Sequence, residues 1–439
     1  YGRSLGLETI VDAIGNVIIR KPASAGYENH PGVILQGHMD MVPQKNNDTA
    51  FDFEKDPIEA YVDGEWVTAK GTTLGADNGI GVAAAMAILA DKSVVHPPLE
   101  VLVTVDEETG MYGAFALEGG LLQGKILLNL DSETEGELYV GCAGGVDTTA
   151  KFQYTPVPVE EGDVAIKISL TGCKGGHSGC DIHLQRANAN KLLFRFLKDA
   201  VANFEARLAS VEGGSLRNAI PREASAIITI PAEGVEEIID LVAEYEDLFV
   251  TEYEGVEDNI HFTAEEVACP TTELPEDVQD FLIHAVTACP HGVYRVIPEM
   301  PDVVETSNNV AMLTTEDNCV TVMCLTRSSV ESRKEELQEI IQSVFAMAGA
   351  EVEFSGSYPG WKPNLNSRIL GVMQDVYKQE FAAEPRIIII HAGLECGIIG
   401  RNYPGMDMIS FGPTIKYPHS PDERVNIPSV EKFYHFLLA

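Results

Sequence analysis

Residues 99–105 read as a buried apolar strand that runs directly into Asp106-Glu107-Glu108-Thr109-Gly110. A strand buried on both faces belongs in a largely parallel sheet covered by helices. Three adjacent acids at its end are costly unless cations neutralise some of them. This junction of apolar strand and acidic terminus therefore constrains both fold and chemistry, and it recurs. The strand at 32–35 leads into Gln36-Gly37-His38-Met39-Asp40, and 125–130 leads through Asn129-Leu130 into Asp131-Ser132-Glu133. Gly75-Ala76-Asp77-Asn78-Gly79-Ile80-Gly81 opens 79–91, a small, apolar run that reads as a buried helix. A further strand at 407–411 precedes Lys416-Tyr417-Pro418-His419-Ser420-Pro421-Asp422-Glu423. Open α/β sheets place their sites at such strand ends.

Strands alternating with helices occupy 1–144 and return in 361–439, where 366–380 and 429–438 read as helices and 386–391 as a strand. The middle reads differently. Long helical patterns at 188–209, 234–245, 275–289 and 333–348 are interleaved with strands at 163–170, 224–230 and 319–326. The order helix, Asn-containing turn, strand, helix occurs twice, with Arg217-Asn218-Ala219-Ile220 before one strand and Asn308-Asn309-Val310-Ala311 before the other. The expected fold is α/β: a mostly parallel sheet flanked by helices, built from 1–144 and 361–439, with an inserted α+β domain at 145–360 made of two related units. Tyr358-Pro359-Gly360 is the expected return hinge.

The chain has 439 residues and a formal net charge of −37. Such a surface repels phosphate backbones and anionic lipid, which argues against nucleic-acid and membrane partners. The longest apolar stretches are far shorter than a bilayer requires. The eight cysteines include no C-x-x-C pair, so they read as buried free thiols in a reducing compartment, the cytoplasm. The sequence begins at Tyr1, and no signal peptide is visible.

Each motif alone has a plain structural reading: a surface H-x-D loop, a capped helix start, a solvated acidic turn, a histidine beside prolines. Together they supply two histidines and several carboxylates, ligands that Zn²⁺ accepts. A bridging carboxylate with two further ligands for each ion makes a two-metal site. Adjacent carboxylates on an extended chain point opposite ways, so of Glu107 and Glu108 one could bind metal while the other reaches a metal-bound water. Spacing does not decide which.

The strings H-x-D, G-A-D-N-G, D-E-E-T-G, L-D-S-E and P-H-S, in this order, resemble the zinc-dependent aminoacylase/carboxypeptidase clan. G-H-M-D-M-V-P-Q-K, T-L-G-A-D-N-G-I-G, H-A-G-L-E-C-G and P-H-S-P-D-E-R are similar to its bacterial aminoacylhistidine (Xaa-His, or β-alanyl-histidine) dipeptidase subgroup. The resemblance spans essentially the whole chain, with one departure: members of the subgroup usually carry a further N-terminal helical segment, which this sequence does not show. The resemblance implies a zinc-peptidase-like catalytic domain, and a lid and dimerisation role for 145–360. It implies that Asp77 bridges two Zn²⁺, replaceable by Mn²⁺ or Co²⁺. His38 and Asp131 would complete one ion, and Glu108 and His419 the other. Glu107 would be the general base and Asp40 the orienter of His38, with a cis peptide after Asp77. His177 in T-G-C-K-G-G-H-S-G, Asn218 and Arg327 match positions that hold substrate, and His391 and Glu395 fall within the subgroup string. A homodimer is implied.

The expected reaction is hydrolysis of unblocked dipeptides, especially Xaa-His. A water activated by the metals attacks the peptide carbonyl, and Glu107 passes its proton to the leaving amine. An N-acyl-amino-acid deacylase of the same clan is the alternative. A non-catalytic binding protein is disfavoured because both catalytic acids and all five ligands are present.

Overall fold

The computed structural model describes residues 1–46 and 48–439, which divide into two compact units. The first contains Tyr1–Cys142, Trp361–Ile390 and Leu394–Ala439; the second contains Ala143–Gly360 and His391–Gly393.

The first unit is built on an eight-stranded sheet. Its order is Glu8–Val11, Val17–Lys21, Leu99–Thr104, Val33–His38, Ile126–Asn129, Asp407–Ser410, Glu137–Cys142, Arg386–Ile390. Val33–His38 lies between Leu99–Thr104 and Ile126–Asn129, parallel to both, in the register His38↔Thr104 and Gln36↔Asn129. Every residue of Leu99–Thr104 is buried, as expected of a strand covered on both faces. The parallel register brings the C-terminal ends of these strands, and so His38, the Glu107 turn and Asp131, to one edge. The two outer strands, Glu8–Val11 and Val17–Lys21, are antiparallel. A separate four-stranded sheet runs Ile415–Lys416, Arg424–Asn426, Trp66–Ala69, Ala60–Asp63 and carries the turn with His419.

The second unit holds a nine-stranded antiparallel sheet. Its main path is His261–Val267, Asp163–Thr171, Ala224–Pro231, Arg207–Gly213, Met300–Glu316, Cys319–Ser328, Gly144–Gln153, Glu351–Tyr358. Gly292–Ile297 also pairs with Met300–Glu316. Each half pairs four strands with two helices, Ala189–Asn203 and Val235–Glu252 in one, Glu276–Ala288 and Glu331–Met347 in the other. The strand orders of the halves mirror each other, and Arg207–Gly213 meets Met300–Glu316 at Gly213↔Leu313. Phe194, Phe196, Phe249, Phe262 and Phe345 are fully buried in its core. Asn188 caps the first helix by accepting the Lys191 N–H.

Two local expectations are corrected. The helix read over 188–209 ends at Asn203; Glu205 turns the chain with φ 56°, and Arg207–Gly213 is a strand. The Asn308-Asn309 turn is absent, because both residues lie inside the 17-residue strand Met300–Glu316. Their amides are satisfied by tertiary partners, Asn308 donating to the Pro290 carbonyl and Asn309 to that of Ala219, so no turn is needed. Six cysteines are buried, whereas Cys180 and Cys269 are exposed. No helix among the described residues is long and apolar enough to cross a membrane.

Candidate active site

In the first unit His38 Nε2 lies 3.0 Å from Asp77 Oδ1 and 3.2 Å from Asp131 Oδ1. His419 Nε2 lies 3.1 Å from both Asp77 Oδ2 and Glu108 Oε2. Asp77 therefore turns one oxygen toward each imidazole. His38–Asp77–Asp131 and Asp77–Glu108–His419 each offer one ligand atom per residue within 4.8 Å of one another. Ligands ~2.0–2.1 Å from a tetrahedral ion stand ~3.3 Å apart, close to these spacings. Glu108 Oε1 is buried and takes no hydrogen bond, which leaves lone pairs for a cation. The donor set fits two ions that share Asp77. His38, Glu107 and Glu108 form a third convergent group.

The electrostatics favour cations. Burial, reinforced by the charge of Asp131, pushes the Glu107 carboxyl up to about 9. Burial also pushes Asp131 up to about 6, against the pull of His38. Glu133 rises to about 8 through burial and the charges of Asp77 and Asp131. Hydrogen bonds to Asp77 and Glu108 raise His419 to about 10. Carboxylates outnumber imidazoles here, and divalent ions relieve that excess.

Local sequence explains the placement. Gly75 (φ 75°) ends the loop before the helix Ala76–Ala90, and the Asp77–Asn78 peptide is cis. The Asn78 amide donates to the Leu130 carbonyl at 2.7 Å, tying the Asp77 loop to the strand end beside Asp131. Gly37 must be glycine, since a Cβ there would collide with Asn78 Oδ1. Asp40 meets His38 chiefly through its backbone. His38 Nδ1 is 3.0 Å from the Asp40 backbone carbonyl and 3.5 Å from its carboxylate. The carboxylate accepts the Glu107 N–H at 3.1 Å and the Glu108 N–H at 3.0 Å. Burial opposes ionisation of Asp40, but these bonds and His38 hold it at about 2. One residue thus orients both the imidazole and the acidic turn.

In the second unit the structure gathers His177, Arg327 and His391. The Gly179 and Cys180 N–H groups donate to His177 Nδ1 at 3.1 and 3.0 Å. Nδ1 is therefore an acceptor, and the proton sits on Nε2. Burial, then the Arg327 charge, lowers His177 to about 4, so the ring stays neutral. Arg327 is buried, with Nη1 donating to Tyr358 Oη at 2.7 Å and Nε to Ser178 Oγ at 3.4 Å. His391 Nε2 lies 2.7 Å from Ser307 Oγ, and burial followed by the Arg327 charge lowers this ring to about 3. Asn218 is exposed, and its backbone carbonyl accepts the Ser178 N–H.

Glu395 does not join that group. It lies in the first unit, 1% exposed, accepting from Gln36 Nε2 at 2.5 Å and Thr104 Oγ1 at 2.8 Å. Asn129 donates in turn to Gln36 Oε1. Gln36, Thr104 and Asn129 thereby link the three strands that end in the site, a role that reasoning from the motifs missed. A polar residue inside each apolar strand run was the available signal. Glu423 was also missed; it lies in the His419 motif and binds the loop before Asp77.

Residues 34–439 match the model of peptidase family M20/M25/M40. The chain is 49% identical over 437 residues to the cytosol non-specific dipeptidase of Escherichia coli (strain K12), covering 100% of this chain and 90% of the relative. The crystal structure of aminoacylhistidine dipeptidase from Vibrio alginolyticus superposes with a TM-score of 0.93 at 51% identity, covering 100% of this chain and 89% of that one. Aminopeptidase PepT from Bacillus cereus ATCC 10987, at 16% identity and a TM-score of 0.55 over 100% of this chain and 88% of that one, shares the fold.

Proposed function

Because this chain belongs to peptidase family M20/M25/M40, we propose from that premise that it is a two-metal dipeptidase acting on unblocked dipeptides, Xaa-His substrates such as β-alanyl-histidine among them. The observation that carries the two-metal part is Asp77, with each carboxylate oxygen facing a different histidine–carboxylate pair.

His38, Asp77 and Asp131 would hold one ion, and Asp77, Glu108 and His419 the other. Mixed imidazole and carboxylate donors suit Zn²⁺, with Mn²⁺ and Co²⁺ as substitutes. When bound, the ions polarise the scissile carbonyl and make water acidic enough to lose a proton near neutral pH. Glu107, ionised once divalent charge offsets the burial and neighbouring carboxylates that raise its pKa, would accept that proton on its carboxylate and deliver it to the leaving amine nitrogen. Asp40 holds the Glu107-Glu108 backbone and His38 in place. His177, whose Nε2 carries the proton, offers the kind of neutral donor that a developing oxyanion needs. The planar fork of Arg327 suits a carboxylate, and Asn218 and His391 are the further candidates for substrate binding. The rest of this reading is a homodimer in the cytoplasm, the compartment in the name of the Escherichia coli relative.

Metal-stripped protein given Zn²⁺ tests the substrate class. Cleavage of β-alanyl-histidine with little action on N-acetylated amino acids supports the dipeptidase. The opposite preference replaces it with the deacylase of the same family.

A further inference from the structure

We infer that Glu423 is a positioning residue that sets the bridging carboxylate of Asp77 against His419; the inference rests on the two-metal reading above. Glu423 is 2% exposed. Its Oε2 accepts the N–H groups of Leu74 at 2.7 Å and Gly75 at 3.0 Å, and its Oε1 accepts those of Ala76 at 2.8 Å and Asp77 at 3.3 Å. Four successive backbone donors thus converge on one side chain.

The need for such an acceptor is local. The helix that begins at Ala76 receives no side-chain cap from Gly75, and its first N–H groups have no partners within the helix. Left unpaired in a buried loop they would destabilise it. A carboxylate satisfies them and is favoured at a helix N-terminus. Serine or aspartate at the capping position could do the same, but only from within the loop. Glu423 does it from another part of the chain.

That other part is the turn that carries His419, between Ile415–Lys416 and Arg424–Asn426. The turn is itself fixed, since the Ser420 carbonyl accepts the Glu423 N–H at 3.0 Å and the Glu423 carbonyl accepts Thr68 Oγ1 at 2.8 Å. One turn therefore touches Asp77 twice. Glu423 grips its backbone N–H, and His419 Nε2 meets its side-chain Oδ2 at 3.1 Å. The His419–Asp77 spacing, which defines the second ion's pocket, is set by this double attachment. Releasing the Glu423 grip frees the His419 turn to shift relative to Asp77, while the bond from the Asn78 amide to the Leu130 carbonyl still holds the Asp77 loop beside Asp131 and His38.

The test is calorimetric titration of metal-stripped protein with Zn²⁺, for the parent, Glu423→Gln, Glu423→Asp and Glu100→Gln. Glu100 is the control: it is 5% exposed, accepts the Gln123 and Gly124 N–H groups at 2.8 and 2.7 Å, and touches no ligand loop. Glutamine at 423 presents an amide N–H₂ to two of the four N–H groups, and aspartate is too short to reach all four. The expected result is one ion bound as in the parent and the other at least tenfold weaker in Glu423→Gln, with a smaller loss in Glu423→Asp. The fall in activity should be in kcat more than in KM. Glu100→Gln should lower the melting temperature and leave both ions unchanged. Parent-like binding of both ions in the folded 423 variants would overturn the inference. If Glu423→Gln does not fold, Glu423→Asp alone decides by the same criterion. The parent isotherm separately tests the two-metal reading, because a parent that takes one ion rejects that reading whatever the variants do.

Discussion

At the scale of single residues the site assigns different work to two adjacent acids. Glu108 meets His419 and Asp77, whereas the Glu107 carboxyl is pushed up to about 9 by burial and the charge of Asp131, and its backbone N–H is held by Asp40. Glu107→Ala is expected to retain folding and metal content while kcat falls by about 10²–10⁴-fold, the usual contribution of general acid–base catalysis. Metal analysis beside steady-state kinetics checks this, and activity within a few-fold of the parent would remove Glu107 as the base. His177→Ala should lower kcat more than it lowers stability, although the Gly179 and Cys180 N–H groups lose their acceptor; steady-state kinetics beside thermal unfolding reads both. Unchanged kinetics would exclude it from the reaction. The convergence of His38, Asp77, Glu108, Asp131 and His419 was legible because the five motifs occur together, although each alone has a plain structural reading. The true bonds of Asp40 were not, because nothing in an H-x-D string says that the backbone carbonyl, not the carboxylate, makes the shorter contact with the imidazole.

At the scale of elements, the parallel register of Val33–His38 with Leu99–Thr104 and Ile126–Asn129 delivers His38, the Glu107 turn and Asp131 to one edge. Close approach between elements makes that edge sensitive to small additions. Gly37→Ala would drive a methyl group into Asn78 Oδ1 and push the Asp77 loop away from the strand. The expected cost is about 1–3 kcal/mol of stability, together with weaker metal binding, read by thermal unfolding and metal titration. Parent-like values for both would mean that the loop absorbs the methyl freely.

The strands and helices with strong apolar periodicity were legible in the sequence, including the helix that starts at Ala76. Met300–Glu316 was not, because its buried asparagines are satisfied by residues far away in the chain. A local reading takes such residues for a turn.

The second unit has an acid-sensitive element at the end of Arg386–Ile390. His391 is buried with its ring neutral, its pKa near 3 beside Arg327, with the His177 and His183 rings adding to the effect. Its folded pKa lies below the unfolded value of about 6.5, so the unfolded chain binds the extra proton. The stability contribution is complete above about 6.5 and is lost as pH falls toward 3, by at most about 1.4 kcal/mol per pH unit. His391→Gln should flatten the fall in melting temperature between pH 6 and 4. A slope equal to the parent's would show that His391 does not carry the effect.

At the scale of the whole molecule, 439 residues form two units with separate cores, and the formal charge is −37. Domain style was legible from the switch between alternating strand–helix patterns and long amphipathic helices. The mirrored strand order in the second unit was not, because edge-to-edge pairing at Gly213↔Leu313 leaves no local signature. Metals bound by the folded state alone stabilise it by an amount that grows with the logarithm of the free metal concentration. Chelation should therefore lower the melting transition of the first unit and abolish turnover, and added Zn²⁺ should restore both. A chelated protein that melts like the metal-loaded one would separate the site from the stability of the fold.

The central claim is that Asp77 is shared by two ions. Metal content at saturation, measured by mass spectrometry on parent and Asp77→Asn protein alongside hydrolysis of β-alanyl-histidine, tests it directly. Two ions per chain in the active parent, with both weakened and turnover lost in the variant, is the predicted result. One ion per chain in a fully active parent would contradict the account.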